Sequence, residues 1–449
     1  MSRARGSAEF EQGGETPYWQ RRQEEQTRKG PRKKPSRPKR SRKTPHKSGK
    51  RKAKGAAGRT RSRRTPEAKA PCELCALTEA FASLTDPRVN RRRRHLLIDI
   101  VVIAVCAVIA SAEKWRDIAA WGKSHRQWLG RFLELPNGIP SGDTFRRVIC
   151  RLDPEEFQRC FLSWAASLVG AAKGRLLNID GKTLRRSGRL KNEDKPLHIV
   201  SVWASEQNLA LGQTTVDEKS NEITAIPKLL RFIDLEGALV TIDAMGCQKQ
   251  IARQIIDGKA DYCLAVKGNQ KYLEQDIGDH FTRCLDSDFA GVEHQSHTTS
   301  EKGHGRCERR EYYLTEVPAE LRHAEAWAGL KAVGMVANIR DSKGDDGFVR
   351  YYICSFNDVE RFAAAVRGHW SIENSLHWIM DVTFREDDSR IQNELGASNF
   401  SWMRRFAISL LKNESTMKDS VRQKRLLATW DVDYLQKVLL AAIPKTPEN

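Results

Sequence analysis

The length, charge and cysteine content of the chain limit what kind of protein it can be. It has 449 residues, more than one typical domain needs, and a formal net charge of +20, which suggests a polyanionic partner. The longest apolar run, Ile100 to Ala110, falls short of the roughly 20 residues of a membrane helix, so no membrane partner is expected. Ten scattered cysteines and the lack of a signal-like start predict a cytoplasmic protein without disulfides.

The first part of the chain is predicted to be a disordered basic tail, residues 1–75. Residues 1–70 carry 24 Lys/Arg against 6 Asp/Glu and almost no aliphatic side chains, so they cannot bury enough surface to fold alone. A nonspecific DNA-binding arm and a solvated extension without a role are both compatible with this composition. The lone Cys72-x-x-Cys75 pair is too weak a signal for a zinc or redox site.

Residues 79–172 have helical spacing of apolar residues and are predicted to form an N-terminal helical domain. The stretch Leu135 to Ser141 breaks this region in the middle. Arg146 and Arg147 lie on a predicted helix and are candidate DNA contacts. The break is longer than a helix-turn-helix usually allows, so a DNA-binding domain and a purely structural bundle both remain open.

Residues 173–267 change to short strands. The patterns predict strands at 176–180, 197–204 and 209–216, a helix at 222–233, a strand at 238–243, a helix at 248–257 and a strand at 262–267. This order is that of an RNase H-like mixed sheet flanked by helices, an α/β fold. Asp180 and Asp243 then fall at the ends of adjacent strands.

Residues 268–357 do not continue this rhythm and are predicted to be a β-rich insertion. The catalytic core resumes at 358–415 with a helix, Arg361 to Asp381, that carries Glu373. Residues 416–449 are predicted to be a C-terminal tail. The insertion explains why Glu373 lies 130 residues beyond Asp243, which itself follows Asp180 by 63.

Asp180, Asp243 and Glu373 are the candidate catalytic and metal-binding residues. Two Asp at neighbouring strand ends repel each other unless a cation neutralises them. Converging carboxylates are the ligands that hard cations prefer. Two such ions can activate a nucleophile and stabilise the leaving oxygen of a phosphodiester, which indicates cutting and joining of nucleic acid.

The neighbours of the three acids supply candidate DNA contacts. Lys182, Arg185 and Arg186 directly follow Asp180, where cations would meet phosphates. On the predicted helix, His369 and His377 share the face of Glu373 and could contact phosphate or orient other groups. Trp370 and Trp378 could stack on an unpaired base, but a core position is the expectation for both.

One group of residues imitates a zinc site without being assigned to one. His294-x-x-His297 and His304-x-x-Cys307 have suitable ligand types and spacing. They lie in a polar stretch that leads into a predicted strand, so zinc is the minority interpretation.

Four motifs together resemble the DDE transposases of bacterial insertion sequences, and most closely the H-repeat-associated group. The likeness covers about residues 80 to 415. The motifs are Ile179-Asp180-Gly181-Lys182-Thr183, Lys219-Ser220-Asn221-Glu222-Ile223, Thr241-Ile242-Asp243-Ala244-Met245-Gly246-Cys247-Gln248 and His369-Trp370-Ser371-Ile372-Glu373-Asn374-Ser375-Leu376-His377-Trp378.

The resemblance implies a bacterial, nucleoid-associated transposase that cleaves element ends and transfers strands to target DNA. Asp180, Asp243 and Glu373 match the DDE triad and would bind two Mg²⁺ or Mn²⁺ ions, and a homodimer or higher synaptic assembly is expected. Related enzymes place Tyr, Arg and Lys around the glutamate where this chain has Val366, His369 and Met380. Whether His369 and Arg367 stand in as DNA contacts, and whether a hairpin step applies, stays open.

Two rival functions remain at this point. A DNA-binding protein with a decayed active site would use only the basic tail and the helical domain, although three intact carboxylates argue against it. A structure-specific nuclease with the same core would cleave DNA without strand transfer.

Overall fold

The computed structural model describes residues 74–165, 175–188, 196–216, 222–303, 306–340 and 348–441. The predicted basic tail up to residue 73, with Cys72, lies outside these residues, as do residues 219–221 of the second motif and His304. The folded part belongs to one unit, Ala68–Asn449. Within the described ranges, no helix is both long and apolar enough to cross a membrane.

Nine strands of the described chain form one mixed sheet. In spatial order they run β3-β2-β1-β4-β5-β9-β8-β7-β6. β1 is antiparallel to β2 and parallel to β4, and β4 is parallel to β5, which is the RNase H-like arrangement and confirms the predicted fold class. The strands are β1 (Leu176–Thr183), β2 (His198–Ala204), β3 (Leu209–Val216), β4 (Leu239–Ile242), β5 (Asp261–Val266), β6 (His294–Gly303), β7 (Arg306–Glu316), β8 (Ala332–Arg340) and β9 (Phe348–Cys354).

Helices precede, cover and follow this sheet. In chain order they are α1 (Cys75–Ala80), α2 (Leu97–Ile109), α3 (Trp115–Ser124), α4 (Arg126–Leu129), α5 (Gly142–Ile149), α6 (Pro154–Ala165), α7 (Glu222–Leu230), α8 (Lys249–Asp257), α9 (Lys271–Asp286), α10 (Val359–Ile372), α11 (Trp378–Val382), α12 (Glu394–Asn413), α13 (Val421–Trp430) and α14 (Val432–Leu440).

Alternation along β1 divides its side chains between two faces. Leu177 and Ile179 pack into the main core, which includes apolar residues of α7 and α8. Leu176 instead packs into a second core with apolar residues of α10. Because strand side chains alternate, Asn178 and Asp180 share the face of Leu176 and lie beneath α10.

The predicted β-rich insertion continues the same sheet. β9 pairs antiparallel with β5, from Cys263↔Cys354 to Val266↔Tyr351, and β8, β7 and β6 follow outward. The segment also contains α9 and β6, which are not among the predicted elements. α9 buries Leu273, Ile277 and Phe281, one every four residues.

Within the predicted C-terminal tail, residues 421–440 form two helices, α13 and α14. Tyr434, Leu435, Val438 and Leu439 are buried in the main core. Their spacing is that of one helix face, so burying this face explains why the segment folds. The hydroxyl of Tyr434 also donates to the carboxylate of Glu414, at 2.8 Å.

Candidate active site

β1 and β4 place Asp180 and Asp243 side by side. The parallel register pairs Ile179 with Ile242, and each aspartate directly follows one of these residues. The Asp180 carboxylate accepts a hydrogen bond from the Gly181 N–H at 2.8 Å. Asp243 caps the short turn that follows β4 and accepts from the Met245 N–H at 3.1 Å. Both carboxylates are therefore oriented by their local backbone.

Glu373 reaches the site through an irregular helix. After α10 the chain makes a π-helical turn, Glu373–His377, before α11 begins. Turns of this kind are rare and often occur at functional sites. Gly368 lets α10 approach β1 closely, because a Cβ there would collide with the Leu176 side chain. The turn brings His377 Nδ1 to 3.4 Å from Asp180 Oδ2 and leaves Glu373 exposed.

The carboxylates are close enough to influence one another. Burial raises the pKa of Asp180 to about 7, and the charges of Asp243, Glu222 and Glu373 add to the rise, although the Gly181 N–H opposes it. An oxygen donor set under mutual repulsion suits a hard divalent cation. In the part of the chain that the structure describes, no three His, Cys, Asp or Glu side chains converge tightly enough to form a ready metal cluster.

Glu222, at the start of α7, is a fourth carboxylate that sequence reasoning missed as a site residue. Its Oε1 lies 2.6 Å from His198 Nε2 of β2, and both side chains are buried. His198 Nδ1 lies 2.9 Å from the Thr183 hydroxyl. A Cβ at position 181 would collide with both members of the pair, so Gly181 is required here. That glycine, directly after Asp180, was the sequence signal for a close contact.

The two histidines of the glutamate helix are uncharged at neutral pH. Mainly burial lowers the pKa of His369 to about 4, although the charge of Asp243 opposes it, and burial with nearby cations lowers the pKa of His377 to about 3. His369 Nδ1 lies 3.0 Å from the Thr241 hydroxyl, which donates to Asn178 at 2.6 Å. His377 Nε2 is buried without a hydrogen-bond partner. Without charge, these histidines lose the electrostatic reason for expecting them to contact phosphate.

Lys182 is not placed to contact DNA, contrary to the expectation from its position. Its side chain is 8% exposed, and its Nζ lies 2.7 Å from Asp381, 3.2 Å from Asp387 and 3.8 Å from Glu386. We call residues 381–388 the acidic segment. The segment lies some 200 residues further along the chain, so nothing near Lys182 in the sequence indicates this ion pairing.

The other predicted DNA-binding cations are exposed but ion-paired. Solvent-exposed pairs of this kind contribute only about 0–1 kcal/mol, so a phosphate can compete for such a cation. The pairs are Arg185 with Asp387 (3.2 Å), Arg186 with Asp388 (2.9 Å), Arg146 and Arg147 with Asp143, and Arg367 with Glu301 (2.5 Å).

The two tryptophans of this helix have different surroundings. Trp370 is partly buried, with the guanidinium carbons of Arg310 and Arg350 at 5.1 and 5.0 Å from its ring centroid. Trp378 is 57% exposed. The expected core position is therefore wrong for Trp378.

The positions where related transposases have Tyr and Lys are apolar and buried in this chain. Val366 is 1% exposed and Met380 is fully buried. Neither side chain can donate a hydrogen bond or carry charge to DNA.

The first two residues of the zinc-like group, His294 and His297, do not converge in the structure. His294 and His297 lie three residues apart on β6, so they point to opposite faces of the sheet. His294 stacks on Phe289, and the ring of His297 lies near that of Tyr312. These two histidines cannot bind one metal ion together.

Comparison with protein families assigns the chain. Residues 171–411 match the model of the transposase DDE domain, and residues 78–165 match the DDE_Tnp_1-associated family. The chain belongs to the DDE transposases. It is therefore an enzyme of the polynucleotidyl transferase type whose partner is DNA and whose family uses divalent metal ions.

Curated relatives extend over most of the chain. The H repeat-associated putative transposase YhhI of Escherichia coli strain K12 is 39% identical over 374 residues, covering 82% of this chain and 98% of the relative. Putative transposase YncI of Escherichia coli O157:H7 is 39% identical over 370 residues, covering 81% of this chain and 94% of the relative. These matches confirm the resemblance to the H-repeat-associated group.

Among solved structures, the chain is similar to the piggyBac transposase in a cryo-EM synaptic complex with hairpin DNA. The identity is 12% and the TM-score 0.33, with 83% of this chain and 82% of that chain covered.

Proposed function

We propose that Asp180, Asp243 and Glu373 form the DDE triad of an insertion-sequence transposase, which cleaves the element ends and joins the freed ends to target DNA. The observation that supports this most is the parallel register of β1 and β4, which sets Asp180 beside Asp243, with Glu373 close enough for its charge to act on Asp180. Three acids from two parallel strands and a π-helical turn thus act on one another. Their equivalents carry the chemistry in the family.

The three carboxylates would hold two Mg²⁺ or Mn²⁺ ions. When bound, the ions supply an activated nucleophile and stabilise the leaving oxygen of the phosphodiester. The protein positions these carboxylates: the Gly181 N–H orients Asp180, and the Met245 N–H orients Asp243. The buried His198–Glu222 pair beneath Gly181 supports the backbone next to Asp180.

Exposed arginines would hold DNA on either side of the site. The exposed arginines would each exchange a weak carboxylate partner for a phosphate, which costs little; they are Arg185, Arg186, Arg146, Arg147 and Arg367. Lys182 does not belong to this set, because three carboxylates hold it. His369 and His377 would orient the strand and helix that carry the triad instead of contacting phosphate.

A hairpin step is not part of the proposal, since Val366 and Met380 supply no polar group at positions that related enzymes use. Joining two element ends favours at least a dimer, so we propose a homodimer or larger assembly on DNA. The enzyme would act in the cytoplasm, at the nucleoid.

The test is cleavage of a labelled duplex that carries an element end. We expect Asp180→Asn and Asp243→Asn to abolish Mg²⁺-dependent cleavage while end binding is retained, and Asp257→Asn, an exposed acid at the end of α8, to cleave normally. Mg²⁺-dependent cleavage that persists in either triad variant would refute the assignment. Cleavage without products joined to target DNA would instead identify a nuclease. If the unmodified protein did not cleave at all, it would be a DNA-binding protein with a decayed active site.

A further inference from the structure

Trp378 is exposed to an unusual degree for its residue type. Tryptophan is highly buried on average in folded proteins, yet this side chain is 57% exposed. Among the described residues its indole makes no ring contact and no hydrogen bond. Val382, four residues further on α11, is 51% exposed. Within the described residues, this side of the helix therefore presents an aromatic and an aliphatic side chain to solvent.

The π-helical turn aligns Trp378 with Glu373. The Trp378 N–H donates to the Glu373 carbonyl, so five residues close this turn where an α-helix would use four. In a regular α-helix the fifth residue points to a different side, but here Trp378 follows Glu373 along one side of the helix. We call Glu373, Trp378 and Val382 the exposed strip.

The exposed strip suits a nucleic-acid base better than a protein partner. A buried aromatic side chain contributes about 150–250 Å² of buried surface, whereas a stable protein–protein interface buries about 800 Å² of surface on each partner. One tryptophan and one valine are too small for a dimer interface but match a single base. A cation without an ion-pair partner among the described residues is available at the active site: Lys267, directly after β5, is exposed, and its charge acts on His369 of α10.

We infer that Trp378 stacks on an unpaired base of the DNA strand whose phosphate lies at Glu373. The inference rests on the proposed function, which places DNA at the triad. Stacking on an aromatic side chain tolerates any base, because every base has a π-face. Trp378 is thus a positioning residue: it holds the strand locally unpaired beside the carboxylates.

The experiment measures DNA binding without cleavage. Asp180→Asn protein in EDTA is titrated against a labelled duplex with three unpaired nucleotides and against the fully paired duplex of the same sequence, by fluorescence anisotropy. Trp378→Ala and Trp378→Phe are added to this background. The matched control is Trp430→Ala, because Trp430 is 72% exposed on α13.

We expect Trp378→Ala to weaken binding of the unpaired probe about fivefold or more, Trp378→Phe to weaken it less, and both to bind the paired duplex as before. Trp430→Ala should bind both probes like the parent. Equal weakening of both probes, or no difference from Trp430→Ala, would overturn the inference. A loss of self-association on Trp378→Ala, seen by sedimentation without DNA, would assign the strip to a second copy and overturn it too.

These outcomes are separable from failure of the triad assignment. If Asp180→Asn still cleaves with Mg²⁺, the triad proposal fails whatever the anisotropy shows. If Asp180→Asn abolishes cleavage but Trp378→Ala binds both probes normally, only the stacking inference fails.

Discussion

The ionisation of Asp180 links the stability of the protein to metal binding. The pKa of an ordinary aspartate is near 3.8, and in the folded protein that of Asp180 is raised to about 7. A carboxyl group whose pKa rises on folding favours the folded state at low pH, and this contribution is lost as the pH increases from about 4 to about 7. The ionised carboxylate is therefore unfavourable in the metal-free protein above pH 7, and a bound cation relieves the repulsion.

We predict that Asp180→Asn stabilises the metal-free protein at pH 8 but not under acidic conditions. Between pH 5 and pH 8 the advantage over the unmodified protein should grow by about 1–3 kcal/mol. Mg²⁺ should stabilise the unmodified protein at pH 8 and leave the variant unchanged, because the variant lacks the charged ligand. Denaturant unfolding at both pH values, with EDTA or Mg²⁺, measures these differences.

Asp257→Asn serves as the control for this prediction, since it removes one exposed carboxylate at the C-terminal end of α8. It should keep both the pH dependence and the response to Mg²⁺. An Asp180→Asn variant that is no more stable than the unmodified protein at pH 8 would show that Asp180 does not carry the raised pKa.

At the scale of elements, the acidic segment joins β1 to α12. Lys182 of β1 forms ion pairs with this segment. Its Glu386, which is fully buried, also lies 3.6 Å from Arg404 and 3.7 Å from Arg405 of α12. The Ser401 hydroxyl donates to Glu386 at 2.6 Å. Charges buried in this way depend on one another, because removing one partner leaves another uncompensated.

We predict that Lys182→Met lowers the free energy of unfolding by about 3 kcal/mol, because it leaves the half-buried Asp381 without its cation and removes one positive charge from beside Asp387 and the buried Glu386. Arg185→Met removes a cation that is 80% exposed and pairs with the same segment, so it should cost less than about 1 kcal/mol. Denaturant midpoints of the two variants compare them directly. If Lys182→Met kept its stability and lost DNA affinity instead, Lys182 would be the DNA contact that its sequence position suggests.

Across the whole molecule, local sequence patterns predict the first five strands and the helices between them. They do not predict all of the remaining sheet. Between residues 176 and 267, each apolar run ends at turn residues close to the end of a strand or helix. The length and periodicity of these runs are therefore enough to predict the elements there. β6 is a polar edge strand, His294–Gly303, and only pairing with β7 makes it a strand. α9 did carry a readable signal, because Leu273, Ile277 and Phe281 lie four residues apart.

The candidate site was predictable to a similar extent. Asp180 lies within β1 and Asp243 directly follows the parallel neighbour β4, so strand order and register bring them together. The His198–Glu222 pair joins a strand to a helix start, and the burial of Lys182 depends on the distant acidic segment. Such contacts depend on tertiary packing, which single-sequence patterns do not encode. The π-helical turn that exposes Trp378 is equally invisible, because its residues suit a regular helix.

The distribution of charge along the whole chain leads to a last prediction, on how DNA is held. Residues 1–70 carry a net charge of +18 out of +20, so the remaining chain is nearly neutral. Nonspecific affinity depends on the number of phosphates that cations neutralise, and its logarithm falls with the logarithm of salt concentration by about 0.9 per phosphate. We predict that removing residues 1–70 weakens binding to random duplex DNA and reduces this slope by several units.

Anisotropy titrations from about 50 to 200 mM salt measure the slope. A variant of the whole chain with the 13 Lys and Arg residues of 31–54 changed to Gln is the matched control, since it keeps the length and removes most of the net charge of residues 1–70. It should behave like the truncated chain if charge is what matters. Cleavage at the element end should survive both changes at low salt, because the exposed arginines and the triad lie in the folded part. A slope that stays the same in both variants would mean that the basic segment is a solvated extension, and that the folded part alone provides the affinity for DNA.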